Sequence, residues 1–341
     1  MTTQQDVVNK ILEGKLDKHE VRTTSNAFFA PINIALIKYW GKRNEELKLP
    51  MSSSLSYSSL HLGTITKVLP NCKNADEIFL NGVLIEQNTD FYNRTIAFVN
   101  LFRNALNVDI KLTIITDNNV PTASGLASSA SGFASLTLAI NDLFNLNLDE
   151  KTLSILARLG SGSACRSIVS AIDKTANFVL WNKGISEDGF DSYAEKIALP
   201  NVIEDNLSMF IVKITDNKKD ISSTDAMRMT IEMSKKYSTW LKQTENDILN
   251  IFNVKSFQEF GLIVENNSLL MHKSIRDAGI DYFLPKTYEC VDFIKKLREQ
   301  ENLSVFCTID AGANVKIICE KQELEITKTQ FISSKYHLIT F

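Results

Sequence analysis

An almost unbroken apolar run, FFAPINIALI at Phe28–Ile37, predicts a buried strand that leads into a polar turn. Residues 63–68 alternate apolar and polar side chains, as a half-buried strand does. In the stretch 77–85, EIFLNGVLI, Asn81-Gly82 stands between two apolar segments, the strongest short signal for a hairpin. Residues 109–116 predict a further alternating strand. After Pro121 the period lengthens. Ala130, Phe133, Ala134, Thr137, Ile140 and Phe144 recur at steps of three and four, which places them on one helix face. Two more helices are predicted over 153–159 and 163–172, separated by Gly160 and Gly162, and then a strand over 178–181.

The second half opens on a strand, LSMFIVKIT from Leu207, followed by long helical patterns over 223–249 and 257–274. Pro285 begins another helix, since proline suits a first helical turn. Strands over 304–309 and 315–319 flank Asp310-Ala-Gly-Ala-Asn314. Strands and helices come in uneven runs, not in regular alternation, which predicts an α+β fold of two lobes over a doubly wound sheet. The expected division is an N-terminal extension over 1–25, one lobe over 26–200 and a second over 201–341.

Composition narrows the class. A chain of 341 residues can bury a large core and divide around a cleft. Its formal net charge of −3 gives no global basic field for nucleic acid, although local basic residues can still collect an anionic substrate. Five cysteines, at 72, 165, 290, 307 and 319, show neither CxxC nor Cys/His ligand spacing, which predicts reduced, mostly buried thiols. No apolar run reaches the roughly 18–20 residues that span a membrane. Residues 1–20 are polar and mixed in charge, unlike a signal peptide. A cytoplasmic enzyme is the expectation.

The segment Pro121-Thr-Ala-Ser-Gly-Leu-Ala-Ser-Ser-Ala-Ser-Gly132 joins a strand to a helix with small and hydroxyl side chains. Gly125 is free to take positive φ, and unpaired N–H groups at a helix start face an anion. Ser128 and Ser129 offer hydroxyls to phosphate oxygens or a magnesium ion. The Gly-Lys-Ser/Thr ending of a Walker A loop is missing. The residues alone fit a serine-rich helix cap equally well.

This segment resembles the phosphate loop of the GHMP kinase superfamily, Pro-x-x-x-Gly-Leu-x-Ser-Ser-Ala. The likeness implies ATP binding through Ser124, Gly125, Leu126, Ala127, Ser128 and Ser129, with Mg2+ on Ser129. Two further segments, NIALIKYWGKR over 33–43 and GSGSACRS over 160–167, resemble signatures of the mevalonate diphosphate decarboxylase family, and the likeness runs from about Ala30 to Ile318. It implies a GHMP-kinase-like fold with a deep cleft between two lobes, and commonly a homodimer. The reaction it implies is ATP-dependent conversion of mevalonate 5-diphosphate to isopentenyl diphosphate, ADP, phosphate and CO2 through transient 3-phosphorylation.

Each candidate residue also has a plainer reading. Lys38, Lys42 and Arg43, with Tyr39 and Trp40 between them, read as a solvated basic turn, yet they follow an apolar strand as a loop at the edge of a site does. The resemblance places Tyr39 and Lys42 on the substrate and Lys38 beside a catalytic aspartate. Arg166 offers a rigid fork for a carboxylate. The family assigns it the substrate carboxylate, with Ser161 and Ser163 in the same cleft. Ser222-Ser-Thr224 reads as a helix N-cap; in the family this segment, here Ser222 and Ser223, receives the distal phosphates, and some bacterial relatives carry arginine where Thr224 stands.

Asp310 reads as a turn former and resembles the catalytic acid/base of the family's Asp-Ala-Gly-Pro-Asn motif. Ala313 replaces that proline, and Ser52 stands where many relatives carry asparagine. His272 reads as a packed core or rim residue. Sister activities take the monophosphate or phosphorylate without decarboxylating; Asp310, Lys38 and Arg166 together argue against a kinase alone.

Overall fold

The computed structural model describes residues 2–15, 21–120, 128–217 and 219–340, with Ser59 by its backbone only. The first half runs α1 (Gln4–Leu12), β1 (Phe28–Ile37), β2 (Lys42–Asn44), β3 (Leu49–Pro50), β4 (Ser54–Pro70), β5 (Glu77–Leu80) and β6 (Val83–Leu84). It continues through α2 (Asp90–Leu106), β7 (Leu112–Asn118), α3 (Ser128–Leu143), α4 (Glu150–Gly160), α5 (Ala164–Ile172), β8 (Phe178–Trp181) and β9 (Ala194–Lys196). The second half comprises α6 (Asn201–Glu204), β10 (Leu207–Lys213), α7 (Ser223–Met233), α8 (Tyr237–Asn250), α9 (Phe257–Asp277) and α10 (Pro285–Gln300). It ends with β11 (Val305–Ile309), β12 (Val315–Glu320), α11 (Leu324–Ser333) and β13 (His337–Thr340).

Seven strands form the first sheet in the order β6-β5-β7-β4-β8-β9, with β1 also paired to β4. Among the described residues only β5 and β7 run parallel within it. The 17-residue β4 is the axis, antiparallel to β8 through its first residues and to β7 through its last. Its inward face is lined with hydroxyls that helices answer. Thr64 Oγ1 lies 2.8 Å from Ser131 Oγ, and Thr66 Oγ1 lies 2.7 Å from Ser135 Oγ, both pairs buried. These bonds fix the first turns of α3 to the sheet and so fix Ser128 and Ser129 at its mouth.

The second sheet is antiparallel, ordered β11-β12-β10-β13. Helix α10 covers one face with Cys290, Val291, Ile294 and Leu297. On the other side Phe257, Phe260 and Val264 of α9 pack against Met209, Ile211, Phe306 and Ile318, and also against Ile32, Ile34 and Leu36 of β1. Helix α9 is thus the common core of both sheets, and each such side chain buried there contributes roughly 1.5–3 kcal/mol. The approach is close. A Cβ on Gly261 would stand 2.1 Å from the Phe306 ring. Gly261→Ala is expected to lower stability by about 1–3 kcal/mol through overpacking, read as a lower urea midpoint at unchanged m.

The strand, hairpin and helix positions follow the pattern of the sequence, including Asn81 and Gly82 at φ 50° and 76° in the hairpin turn. One expectation fails: the helix over 223–249 is broken between α7 and α8. Ser234 Oγ accepts the Lys236 N–H at 3.1 Å, and Asp277 Oδ2 accepts from both Ser234 Oγ (3.1 Å) and the Lys236 N–H (3.2 Å). Side chains here take the groups that would continue the helix. The elements α2, α11 and β13 were not predicted. Helix α1 buries Val7, Val8 and Leu12 in the core of the first lobe. No helix among the described residues is long and apolar enough to cross a membrane.

Candidate active site

The two sheets place the ends of β1 and β11 at one cleft of about 390 Å³. Lys38 follows β1 and Asp310 follows β11, and their side chains meet there at 2.6 Å. Lys38 is buried, whereas about 31% of the Asp310 side chain stays open to the cleft. A second cation completes the arrangement: Lys316 Nζ of β12 lies 3.1 Å from the other Asp310 oxygen. Partial burial alone would raise the Asp310 pKa, but the ammonium groups of Lys316 and Lys38 outweigh it and hold the carboxyl far below the usual carboxylate range. Burial pushes Lys38 down to about 8, partly offset by Asp310. The result is a carboxylate whose ionised form is favoured between two ammonium groups, with one open side.

Arg166, at the start of α5, is 2% exposed. Its Nε and Nη2 donate to Asn33 Oδ1 at 3.1 and 2.9 Å, and its Nη1 donates to Ser54 Oγ. Asn33 in turn donates to the Ser163 carbonyl (3.1 Å) and Ser167 Oγ (2.7 Å), so the guanidinium rests on a fixed acceptor. No carboxylate ion-pairs with it among the described residues. A buried, neutral-partnered guanidinium lining a cleft is prepared for an anion from outside. Beside it the Tyr39 hydroxyl is buried without a partner, and the absence of a side chain at Gly162 admits it: a Cβ there would sit 2.9 Å from that oxygen.

Cations continue along the cleft. Lys42 Nζ contacts Glu45 at 2.5 Å. Lys48 donates to the Leu159 carbonyl and is pushed down to about 8, first by burial and then by Lys42 and Arg94. Near the start of α7, Lys219 donates to Ser223 Oγ, while Ser222 Oγ caps the helix by accepting the Asp225 N–H at 3.1 Å. Lys38, Lys42, Lys48, Arg94, Arg166 and Lys219 all line this cleft, and among the described lining residues Asp310 is the one carboxylate. Such a balance selects a ligand with several negative charges.

A second cavity of about 340 Å³ adjoins the first and is walled by Ile78, Leu80, Phe91, Ile114, Phe133 and Leu136. Arg94 and Ser129 border both cavities. An apolar slot that opens beside the start of α3 onto a cationic cleft suits a nucleobase with its phosphates pointing at the reaction partner.

The family described as diphosphomevalonate decarboxylase-like N-terminal domain matches residues 30–194, and the mevalonate 5-diphosphate decarboxylase C-terminal domain matches 209–338. The chain belongs to the diphosphomevalonate decarboxylase family. The Aspergillus fumigatus enzyme is 34% identical over 333 residues, covering 91% of this chain and 80% of the relative. Mevalonate diphosphate decarboxylase from Enterococcus faecalis superposes with a TM-score of 0.81 at 38% identity, covering 93% of this chain and 95% of that one. A structure of MDDEF in complex with MVAPP, AMPPCP and magnesium gives 0.82 at 40% identity, covering 93% and 95%. The fold is therefore the GHMP-kinase-like one expected of the family.

Lys38, Tyr39, Lys42, Ser161, Ser163, Arg166, Ser222, Ser223 and Asp310 converge on one cleft. Ser129 joins them, its Oγ 3.4 Å from Ser161 Oγ, whereas Ser128 faces the apolar cavity alone. Ser124, Gly125, Leu126 and Ala127 lie outside the described residues. Arg43 departs from its expected place: it turns away to donate to the Lys183 and Ser186 carbonyls at 3.3 and 3.0 Å. His272 is buried, as its apolar surroundings suggested, with burial pushing it down to about 3. Ala313 lies in a turn with bonded neighbours. Its carbonyl accepts Thr287 Oγ1 at 3.0 Å, and Asn314 Oδ1 accepts the Ile214 and Thr215 N–H groups. The Ser52 hydroxyl is buried without a partner.

Proposed function

We propose that this cleft converts mevalonate 5-diphosphate and ATP to isopentenyl diphosphate, ADP, phosphate and CO2. The observation that carries the reading is the pairing of a site for an anion with an acceptor for a hydroxyl. Arg166 is a buried fork without a carboxylate of its own, and the Asp310 carboxylate has one open side between Lys38 and Lys316. In this reading Arg166 takes the substrate carboxylate, with Tyr39, Ser161 and Ser163 around it. Lys42, Ser222, Ser223 and Lys219 take the 5-diphosphate, Lys219 supplying a cation close to Thr224. Ser128 and Ser129, with the preceding loop residues Ser124 to Ala127, take ATP.

Asp310 accepts the hydrogen bond of the substrate's 3-hydroxyl and aims its oxygen at the γ-phosphorus. A carboxylate held so low is a weak base, so the proton passes to it only as the O3–Pγ bond forms and the bond from Pγ to the bridging oxygen breaks, its electron pair leaving on ADP. The C3–O bond then breaks with its electron pair leaving on phosphate. The C1–C2 bond pair becomes the C2=C3 double bond, and C1 leaves as CO2. Arg166 keeps the carboxylate aligned with the departing oxygen throughout. The described residues include no group of three or more metal-binding side chains. That fits Mg2+, which is held largely by substrate phosphates and needs few protein ligands; the Ser129 hydroxyl at the mouth of the cleft is the residue offered to it, and the ion when bound neutralises phosphate charge. Two lobes meeting over residues 26–200 and 201–341 with a leading segment over 1–25, a homodimer and a cytoplasmic location complete the proposal.

Purified protein given ATP, magnesium and mevalonate 5-diphosphate should release ADP and CO2 in equal amounts. ADP without CO2 would make it a 3-kinase, and turnover of the monophosphate alone would assign the sister substrate. The pH profile follows from the site. Lys38 and Lys48 carry charge below about 8 and lose it above, so kcat/KM is expected to fall as pH rises through that value. Asp310 stays ionised across the neutral range and adds no acid limb between about pH 5 and 7. An acid limb there that disappears in Asp310→Asn would contradict the assignment.

A further inference from the structure

Lys38 lies just past the last β1 residue, Ile37, and is 1% exposed. A buried backbone N–H beyond the ladder needs an acceptor. The side chain of Asn267 on α9 supplies it, with Oδ1 accepting the Lys38 N–H at 2.9 Å. The amide is held in one orientation. Its Nδ2 donates to Thr244 Oγ1 at 3.0 Å and to Asp247 Oδ2 at 2.7 Å, both on α8 and both buried. Turning it over would set its oxygen against a carboxylate and its N–H groups against the Lys38 N–H.

The next residue grips the other half of the ion pair. Ser268 Oγ accepts the Ile309 N–H at 2.8 Å and donates to the Ile309 carbonyl at 3.1 Å; His272 Nε2 lies 3.2 Å from that carbonyl. Ile309 immediately precedes Asp310. Strands β1 and β11 belong to different sheets, so no ladder between them sets the separation of Lys38 and Asp310. A tie from Thr308 Oγ1 to the Ala35 carbonyl at 3.0 Å works with α9 to set it.

We propose that Asn267, oriented by Asp247 and Thr244, is a positioning residue that fixes Lys38 against Asp310 and so sets the geometry of the reacting centre. For the reaction, though not for the geometry, this rests on the function proposed above. Asn267 is fully buried and does not line the cleft. It acts through Lys38, and that separates it from a residue that merely supports the fold.

The test is a double-mutant cycle of Asn267→Ala with Lys38→Met. Asn267→Ala is expected to lower kcat about 10- to 100-fold, the order that a misplacement of roughly 1 Å costs, with both KM values within about threefold of wild type. In the Lys38→Met background, which has no ammonium to misplace, adding Asn267→Ala should lower the residual rate by less than about threefold. An equal fold loss in both backgrounds, or a higher KM at unchanged kcat, overturns the proposal. Should Asn267→Ala not fold, Asp247→Asn enters the same cycle; it keeps the volume and releases the Asn267 amide to turn over. Its loss in kcat is then expected to vanish in Lys38→Met, and persistence of that loss overturns the proposal.

Absence of turnover in the wild-type protein would count against the assigned reaction, not the positioning. The Lys38 ammonium, followed by NMR without substrate, then reads the same coupling. Its titration near 8 should move up toward the ordinary lysine value in Asn267→Ala as water reaches it. A titration that does not move overturns the proposal.

Discussion

Asp310→Asn is expected to lower the rate of CO2 release by about 10³-fold, within the range that a positioned acid or base contributes. The amide keeps the volume of the carboxylate and removes its charge. It can no longer accept the hydroxyl proton, and Lys38 and Lys316 lose the anion between them. Both lysines are 1% exposed, so neither can move readily to water. The variant should also lose stability, by about 1–3 kcal/mol for the lost anionic partner of two buried ammonium groups; water in the cleft keeps that figure below the cost of breaking a fully enclosed pair. Denaturant midpoints measured beside turnover separate the two effects. A folded variant that retains more than a tenth of wild-type CO2 release would contradict the role given to Asp310.

The second large effect is expected at Arg166. Arg166→Lys should lower kcat/KM for mevalonate 5-diphosphate by about 10²- to 10³-fold, the range for breaking a buried charge pair at a binding site. Lysine keeps the charge but presents a point donor where the fork held Asn33 Oδ1 through two nitrogens. It can replace neither that support nor a paired grip on a carboxylate. The companion measurement is the KM for ATP, which should stay within about threefold because the carboxylate grip is not part of the nucleotide site. Equal weakening of both substrates would mean that Arg166 supports the cleft as a whole.

The residues nearest the chemistry were legible through the resemblance, because they sit in contiguous segments at strand ends and helix starts; the residues alone left Asp310 a turn former and Lys38 part of a basic turn. Lys38 follows FFAPINIALI, Arg166 lies in the first turn of α5 and Asp310 follows β11. Lys316 was not found. It lies within β12, where every residue from Val315 to Cys319 is buried, and a charge there passes as one polar position in a strand. Its signal was the mismatch itself, a lysine inside VKIIC that must have an anion to be tolerated. Lys48 and Arg94 reach the cleft from the β2–β3 turn and from α2, elements whose place next to α3 no local pattern reveals.

The first half of β4 escaped for the opposite reason. Ser54, Ser56 and Ser58 are polar, yet all three are buried, with Ser54 under Arg166 and Ser58 accepting from Ser170 Oγ at 2.8 Å. Leu55 and Tyr57 alternate with these serines, but here the polar face is buried as well, against α5. The helix predicted over 223–249 failed at Ser234 because its stop is made by Asp277, forty-three residues away in sequence. Tertiary partners decided each of these cases.

The arrangement of the substrate tests the account most directly. A crystal structure of the protein with mevalonate 5-diphosphate and a non-hydrolysable ATP analogue should place the carboxylate on the Arg166 guanidinium and the diphosphate against Lys42, Lys219 and the start of α7. The 3-hydroxyl should then lie within hydrogen-bond reach of Asp310, about 2.6–3.2 Å. A substrate bound the other way round, with its phosphates on Arg166 and its carboxylate toward Lys219, would contradict it.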